Sequence, residues 1–78
     1  MNKIIVDAMG DICPIPIVKA KNAVKELDGI GMVEILVDNE ISVQNLEKMA
    51  VQKKYKFEYQ KFSENEFKVT MIIGWYYV

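Results

Sequence analysis

The periodicity of the sequence changes within one stretch, Asp7-Ala8-Met9-Gly10-Asp11-Ile12-Cys13-Pro14-Ile15-Pro16. Residues 3–8 form a short apolar run, which predicts a strand buried on both faces in the interior of a sheet. From Pro14 onward, apolar residues recur at helical spacing, which predicts an amphipathic helix. These apolar positions are Ile17, Ala20, Val24 and Leu27. The quoted stretch is therefore a strand-to-helix loop with a cysteine at the start of the helix.

The rest of the chain continues the alternation of strands and helices. A glycine-containing turn at 28–31 is predicted to end the first helix, with a glycine in the left-handed conformation, and residues 32–37 form a second buried strand. A second helix begins somewhere within 38–42 and carries an apolar face that includes Leu46, Met49 and Ala50. Residues 55–60 and 67–73 alternate as two strands of a hairpin, joined by a polar turn at 63–66.

The order β-α-β-α-β-β predicts the fold class. It is an α/β two-layer sandwich, with a four-stranded mixed sheet and two helices on one face. Both helices lie on the same side because right-handed crossover connections between neighbouring strands place them there. We expect the opposite face of the sheet to be more polar.

The composition fits one globular domain and excludes several functional classes. Of the 78 residues, 51% are hydrophobic and 27% are charged, so residues 1–78 are predicted to form a single domain with one core. The net charge is −1 and all ten basic residues are lysines, so direct nucleic-acid binding is not expected. The absence of histidine and arginine removes the imidazole base, the commonest zinc ligand and the bidentate guanidinium. No metal site is predicted.

The single cysteine, Cys13, cannot form an internal disulfide, which favours a reducing, cytoplasmic location. The longest uncharged stretch, residues 69–78, is far shorter than the roughly 20 apolar residues of a membrane-spanning helix. We therefore expect no membrane insertion.

Cys13 is the candidate reactive residue, because a helix N-terminus favours the thiolate. Pro14 and Pro16 are predicted to make this turn rigid and, since they lack N–H groups, to leave the Ile15 N–H and the helix dipole as the main local stabilisers of the thiolate. The alternative is a small buried cysteine that only packs. Its place at the end of a strand favours the reactive interpretation.

Four residues are candidates for supporting roles around the cysteine. Lys19 and Lys21 are predicted either to add positive potential near the sulfur and bind a partner, or to form an ordinary solvated helix face. Asp7 closes the first strand, and Gly10 is expected to have a positive φ or a closely approaching backbone. Shaping the loop is the expected role of both.

These residues resemble the motif of the TusA/SirA/YedF family of small sulfur-carrier proteins. The resemblance rests on the pattern D-x-x-G-x-x-C-P-x-P, formed by Asp7, Gly10, Cys13, Pro14 and Pro16, and it extends over nearly the whole chain through the order of elements. Lys21 falls where the family usually has a basic residue. Residues 37–41 and the pair Asn45-Leu46 resemble the N-terminal TusA-like domain of the YedF branch. That branch is associated with selenium metabolism and usually carries a DsrE-like domain, so the chain is either a stand-alone member or a fragment.

The resemblance implies a function as a sulfur carrier with sulfurtransferase-type transfer. Cys13 would accept a persulfide sulfur from a cysteine desulfurase or rhodanese and hand it to an acceptor protein in a sulfur relay, with no cofactor. Thiol exchange needs only a thiolate and an accessible sulfur, which agrees with a composition that lacks histidine and arginine.

Two alternatives stay open. One is a selenium-handling carrier of the YedF type. The other is a non-catalytic protein-interaction or regulatory module, in which Cys13 packs and binding uses the sheet edge or the aromatic end of the chain. The aromatic end, residues 75–78, is interpreted either as an extension of the last strand or as a surface for a partner or for self-association. A thiol peroxidase or disulfide reductase is disfavoured because the sequence lacks a second, resolving cysteine.

Overall fold

The computed structural model of the chain describes residues 2–27 and 29–74 and has the predicted order of elements. These elements are β1 (Asn2–Asp7), α1 (Ile15–Leu27), β2 (Gly31–Val37), α2 (Glu40–Lys53), β3 (Lys56–Ser63) and β4 (Glu66–Ile73). The hairpin turn is tighter than predicted, since β3 continues to Ser63 and β4 begins at Glu66. The Ser63 hydroxyl donates to the Glu66 carboxylate across this turn at 3.0 Å.

The four strands form one mixed sheet in the order β1-β2-β4-β3. β1 is parallel to β2, whereas β4 is antiparallel to both of its neighbours, β2 and β3. α1 packs on β1 and β2, α2 packs on β3 and β4, and the two helices contact each other. The predicted two-layer fold, with both helices on one face of the sheet, is confirmed.

The position of β1 in the sheet differs from the prediction, which placed this strand in the interior. β1 is an edge strand, because β4 folds back onto the other side of β2 and leaves β1 with one neighbour. Ile5 points away from the helices and its side chain is 64% exposed, while Ile4 and Val6 pack against the core. A short apolar run is compatible with both positions, and only the pairing of the other strands separates them.

The core lies between the helices and the sheet. Every second residue of β2 and β4 contributes to it, which is the period of a strand with one face buried. The fully buried members on the sheet are Val33, Ile35, Val37, Val69 and Met71. On α1 the predicted Ala20 and Leu27 are buried, and Ile17 and Val24 are half-buried against the core. Leu46, Met49 and Ala50 of α2 are buried as predicted.

The start of α2, which the sequence left between residues 38 and 42, is set by Asn39. This residue has extended backbone angles, and its side-chain oxygen accepts a hydrogen bond from the Ser42 N–H at 2.8 Å. Asn39 is therefore the N-cap of α2. The helix ends at Lys53, and its C-cap, Lys54, adopts the left-handed conformation with a φ of 62°.

Two sequence predictions concern the ends of elements. Gly29, in the turn after α1, has a φ of 117°, which agrees with the predicted positive φ of a glycine there. The predicted partner surface at residues 75–78 lies outside the described residues. No helix within 2–27 and 29–74 is long and apolar enough to cross a membrane.

Candidate functional site

Cys13 is exposed and lies immediately before the first turn of α1. The Pro14 carbonyl accepts a hydrogen bond from the Val18 N–H at 3.1 Å, which makes Pro14 the residue that caps the start of α1. The peptide bond between Cys13 and Pro14 is cis. The thiol is therefore accessible from solvent at the positive end of the helix dipole, as its sequence position predicted.

The loop before Cys13 is held by hydrogen bonds at nearly every residue. The Asp7 carboxylate accepts from the Met9 N–H at 3.0 Å and closes β1. The Asp11 N–H donates to the Ala8 carbonyl at 3.2 Å, and the Ala8 N–H donates to the Leu36 carbonyl of β2 at 2.8 Å. The loop that presents the thiol is therefore fixed to the sheet.

Gly10 connects this loop to the start of α2. Its φ is 81°, and a side chain there would meet no atom within 4 Å, so its backbone conformation rather than close packing requires glycine. The Gly10 N–H donates to the Asp38 carboxylate at 2.8 Å. Two hydrogen bonds hold the pKa of the Asp38 carboxyl below its usual range. The bond from the Asn39 side chain has the larger effect, and that from the Gly10 N–H the smaller.

The structure does not bring Lys19 and Lys21 together as one basic surface. The Lys19 ammonium donates to the Asp7 carbonyl at 3.0 Å and forms an ion pair with the Asp11 carboxylate. Lys19 therefore ties the loop to α1, and its charge is compensated. Lys21 instead lies on a separate groove of about 240 Å³, which we call the lysine groove. The other residues lining the lysine groove are Val24, Lys25, Met49, Lys53 and Tyr55.

The two prolines occupy different environments. Pro14 is exposed, whereas Pro16 is fully buried and anchors the first turn of α1 in the core. The Ile15 N–H donates to the Ile12 carbonyl at 2.8 Å. The expectation that Ile15 would be the main local donor to the thiolate is therefore wrong, because its hydrogen is already used within the loop.

A hydrogen-bond donor to the sulfur comes instead from the second helix. The Asn45 side-chain nitrogen of α2 donates to the Cys13 sulfur at 3.5 Å. Asn45 is half-buried and lies 32 residues away in the sequence. The sequence analysis noted this residue only as part of a family resemblance. The signal that could have identified Asn45 is the parallel pairing of β1 with β2. Because of this pairing, the helices that follow the two strands begin at the same edge of the sheet.

The described part of the chain contains no group of three or more histidine, cysteine, aspartate or glutamate side chains arranged to hold a metal ion. The chemistry that the site offers is that of an accessible thiol beside an amide donor, at the start of a helix. Such a thiol can act as a nucleophile toward sulfur.

Comparison with known proteins gives consistent results. The model of the family described as sulfurtransferase TusA matches residues 4–73, which include every candidate site residue. The chain is 29% identical over 65 residues to a protein of Methanocaldococcus jannaschii that is provisionally named a sulfur carrier protein, and the match covers 83% of this chain and 87% of that protein. The fold is similar to the crystal structure of a SirA-like protein from Desulfitobacterium hafniense, with a TM-score of 0.85 and 46% identity. That match covers 91% of this chain and 97% of the other.

Proposed function

Because the chain belongs to the sulfurtransferase TusA family, we propose that it is a sulfur carrier that accepts and hands on a persulfide sulfur at Cys13. The observation that carries the proposal is the exposed Cys13 thiol at the start of α1, with the Asn45 amide 3.5 Å from its sulfur. The similarity to the archaeal protein named as a sulfur carrier supports the same role.

Loading of the carrier is a transfer of one sulfur atom between two cysteines. The Cys13 thiolate attacks the outer sulfur of a persulfide on the donor protein. A new S–S bond forms at Cys13, the S–S bond of the donor breaks, and its electron pair stays on the donor cysteine as a thiolate. Delivery to an acceptor repeats the step with Cys13 as the leaving group. No external oxidant or reductant enters this exchange.

The remaining motif residues act by placing the thiol. Asp7, Gly10 and Lys19 fix the loop through the hydrogen bonds described above. Pro14 and Pro16 begin α1 directly after the cysteine, and buried Pro16 joins this turn to the core. We propose that this rigidity keeps the sulfur exposed in one place, so that donor and acceptor proteins reach it from solvent in turn.

The partners proposed are a sulfur-donor protein, such as a cysteine desulfurase or a rhodanese, and an acceptor protein. The carrier needs no bound cofactor, since its own cysteine holds the transferred atom. We also propose that residues 1–78 act as a single domain of this kind.

Intact-mass analysis tests the function directly. The purified protein is incubated with a cysteine desulfurase and cysteine, and wild type is compared with Cys13→Ser. We expect wild type to gain the mass of one sulfur atom, which a reductant removes, and Cys13→Ser to gain nothing. Because Cys13 is exposed, the variant should retain the melting temperature of wild type.

Two outcomes would contradict the proposal. A large loss of stability in Cys13→Ser, together with slow alkylation of Cys13 in wild type, would support an interaction module in which the cysteine packs. Preferential capture of selenium, when selenide and a mild oxidant replace the desulfurase, would assign the chain to selenium handling instead.

A further inference from the structure

We propose that a group of exposed apolar side chains around Cys13 is the docking surface for the sulfur donor and acceptor, and that it takes an apolar loop carrying the partner's own sulfur-bearing cysteine. The inference rests on the proposed function and names the kind of partner surface that the same site fits. We call these side chains the apolar rim. Its members are Met9, Ile12, Ile15, Val18 and Ile41.

The members of the apolar rim are unusually exposed for their size. The side chain of Ile12 is 77% exposed and that of Ile41 is 65% exposed, while those of Met9, Ile15 and Val18 are between 41% and 47% exposed. Single exposed apolar residues are common on protein surfaces, but a cluster of large ones marks an interaction site. The rim therefore has the character of a surface that is covered during function.

The fold brings these residues to one place. Met9, Ile12 and Ile15 flank Cys13 in the chain, and Val18 lies one helical turn after Ile15. Ile41 comes from the first turn of α2, and it lies one turn before Asn45, whose amide contacts the Cys13 sulfur.

A second connection joins the two segments that carry the rim. The hydrogen bond from the Gly10 N–H to the Asp38 carboxylate fixes the loop before Cys13 to the residue just before the cap of α2. The apolar rim is thus built on two segments that meet at the thiol, the one that carries Cys13 and the start of α2.

The charged groups beside the rim are held by the protein's own contacts. Asp11 is paired with Lys19, whereas the carboxylates of Asp38 and Asp7 accept hydrogen bonds from neutral donors, namely Gly10 and Asn39 for Asp38 and Met9 for Asp7. The lysine groove, with Lys21, Lys25 and Lys53, is lined by none of the rim residues. A partner that contacts the rim itself therefore gains mainly by burying apolar surface.

Sulfur transfer requires that the partner cover the rim. The two sulfur atoms must approach to bonding distance, so the residues next to the partner's cysteine contact those next to Cys13. The complementary surface for exposed isoleucine, valine and methionine is apolar. This argument selects the cysteine-bearing loop of a donor or acceptor over an acidic protein bound at the lysine groove.

The test measures sulfur transfer from a cysteine desulfurase, with cysteine, to two rim variants, Ile12→Ser and Ile41→Ser. The matched control is Val51→Ser, because Val51 is 70% exposed and lies on the same helix as Ile41 but more than two turns further along. We expect each rim variant to lose roughly tenfold in the kcat/KM of transfer, and the control to be unchanged. The rate for wild type should be nearly constant between low and moderate salt.

A second measurement separates docking from thiol chemistry. Alkylation of Cys13 by iodoacetamide should proceed at the same rate in wild type and in both rim variants, because the reagent does not need the rim. Unchanged transfer in the rim variants, or an equal loss in Val51→Ser, would overturn the docking proposal alone. So would transfer that falls steeply with salt and with Lys21→Ala, since this would place docking at the lysine groove.

The oligomeric state gives a further check on whether the apolar rim binds a partner protein or a second copy of this chain. A dimer of wild type that dissociates in Ile12→Ser, measured by analytical ultracentrifugation, would show that the rim binds a second copy and would overturn the proposal. If wild type takes no sulfur from the desulfurase or from polysulfide, the proposed function itself fails, and the docking surface with it. Sulfur on wild type with unaffected rim variants refutes only the docking surface.

Discussion

The contact between Cys13 and Asn45 compensates for donors that the start of α1 cannot supply. Pro14 and Pro16 have no N–H group, and the hydrogen of Ile15 is bonded to the Ile12 carbonyl. The Asn45 amide, 3.5 Å from the sulfur, is then a local donor to the sulfur. At the scale of the residue, this polar contact of the thiol comes from another helix.

Asn45→Ala should therefore slow the chemistry of Cys13. Loss of this exposed hydrogen bond removes a donor to the attacking sulfur, and we expect a roughly threefold lower alkylation rate. Asn45→Asp should slow alkylation more, because a carboxylate then faces the thiolate.

Gln52→Ala provides the control for this effect, since Gln52 is an exposed amide on the same helix, near its other end. Its alkylation rate should equal that of wild type. An Asn45→Ala protein with the wild-type rate would show that the amide does not act on the sulfur.

Two helix starts meet at the functional edge of the sheet, and each is fixed in a different way. α1 follows Pro14 and is anchored by the buried Pro16, whereas the side chain of Asn39 caps the start of α2. The cap matters for the site because Asn45 lies in the second turn of α2. At the scale of the element, the position of Asn45, which donates a hydrogen bond to the Cys13 sulfur, depends on where α2 begins.

Asn39→Ala should lower the free energy of unfolding by about 1 kcal/mol, the usual effect of removing an N-cap oxygen. Asn39→Ser retains an oxygen that can accept from the Ser42 N–H and should recover most of this loss. Urea unfolding followed by circular dichroism measures both variants. Equal stability of the alanine and serine variants would show that the cap does not hold α2.

The open face of the sheet carries an ion cluster that joins three strands. Glu34, in the middle of β2, is only 9% exposed, and its carboxylate pairs with Lys3 of β1 at 2.9 Å and with Lys68 of β4 at 3.3 Å. The hydrogen bond from Lys3, together with that from Lys68, outweighs burial and lowers the pKa of Glu34. At the scale of the whole molecule, this cluster fastens the edge strand β1 to the sheet from the side opposite the helices.

This pKa makes the stability of the protein depend on pH. Because the carboxyl binds its proton less tightly in the folded state, the stabilisation is present above the usual glutamate pKa and is lost as the pH falls through the lower folded pKa. Glu34→Gln should be less stable than wild type at pH 7, by about 1 kcal/mol, since both lysines are partly exposed.

The difference between Glu34→Gln and wild type should shrink as the pH falls below the usual glutamate pKa and should disappear once the wild-type carboxyl is also protonated. Glu58→Gln is the matched control, because Glu58 is an exposed carboxylate on β3, and its effect should be small throughout this pH range. Thermal unfolding at a series of pH values measures these differences. A difference that persists unchanged at low pH would mean that packing, rather than the charge of Glu34, stabilises the sheet.

The order of the elements, the fold class and the place of Cys13 at the start of a helix followed from the sequence. These features depend on local signals, namely the periods of apolar residues and the positions of proline and glycine. Such signals can be recognised within a short stretch of sequence, without knowledge of distant contacts. The family resemblance carried by Cys13 and its neighbouring prolines also lies within such a stretch, and the match to residues 4–73 confirms the family. The closer likeness to the YedF branch stays a prediction.

The tertiary structure alone decided three features. They are the edge position of β1, the ion pair between Lys19 and Asp11, and the contact of Asn45 with Cys13. The first and the last depend on which distant segments pack together, whereas the Lys19–Asp11 pair, 8 residues apart, depends on how the loop folds back onto α1. The apolar run of β1 suits an edge or an interior strand equally, and Asn45 alone looks like any polar residue of a helix. Asn45 contacts the thiol because β1 pairs in parallel with β2. This pairing brings two helix starts, 25 residues apart in the chain, to the same thiol.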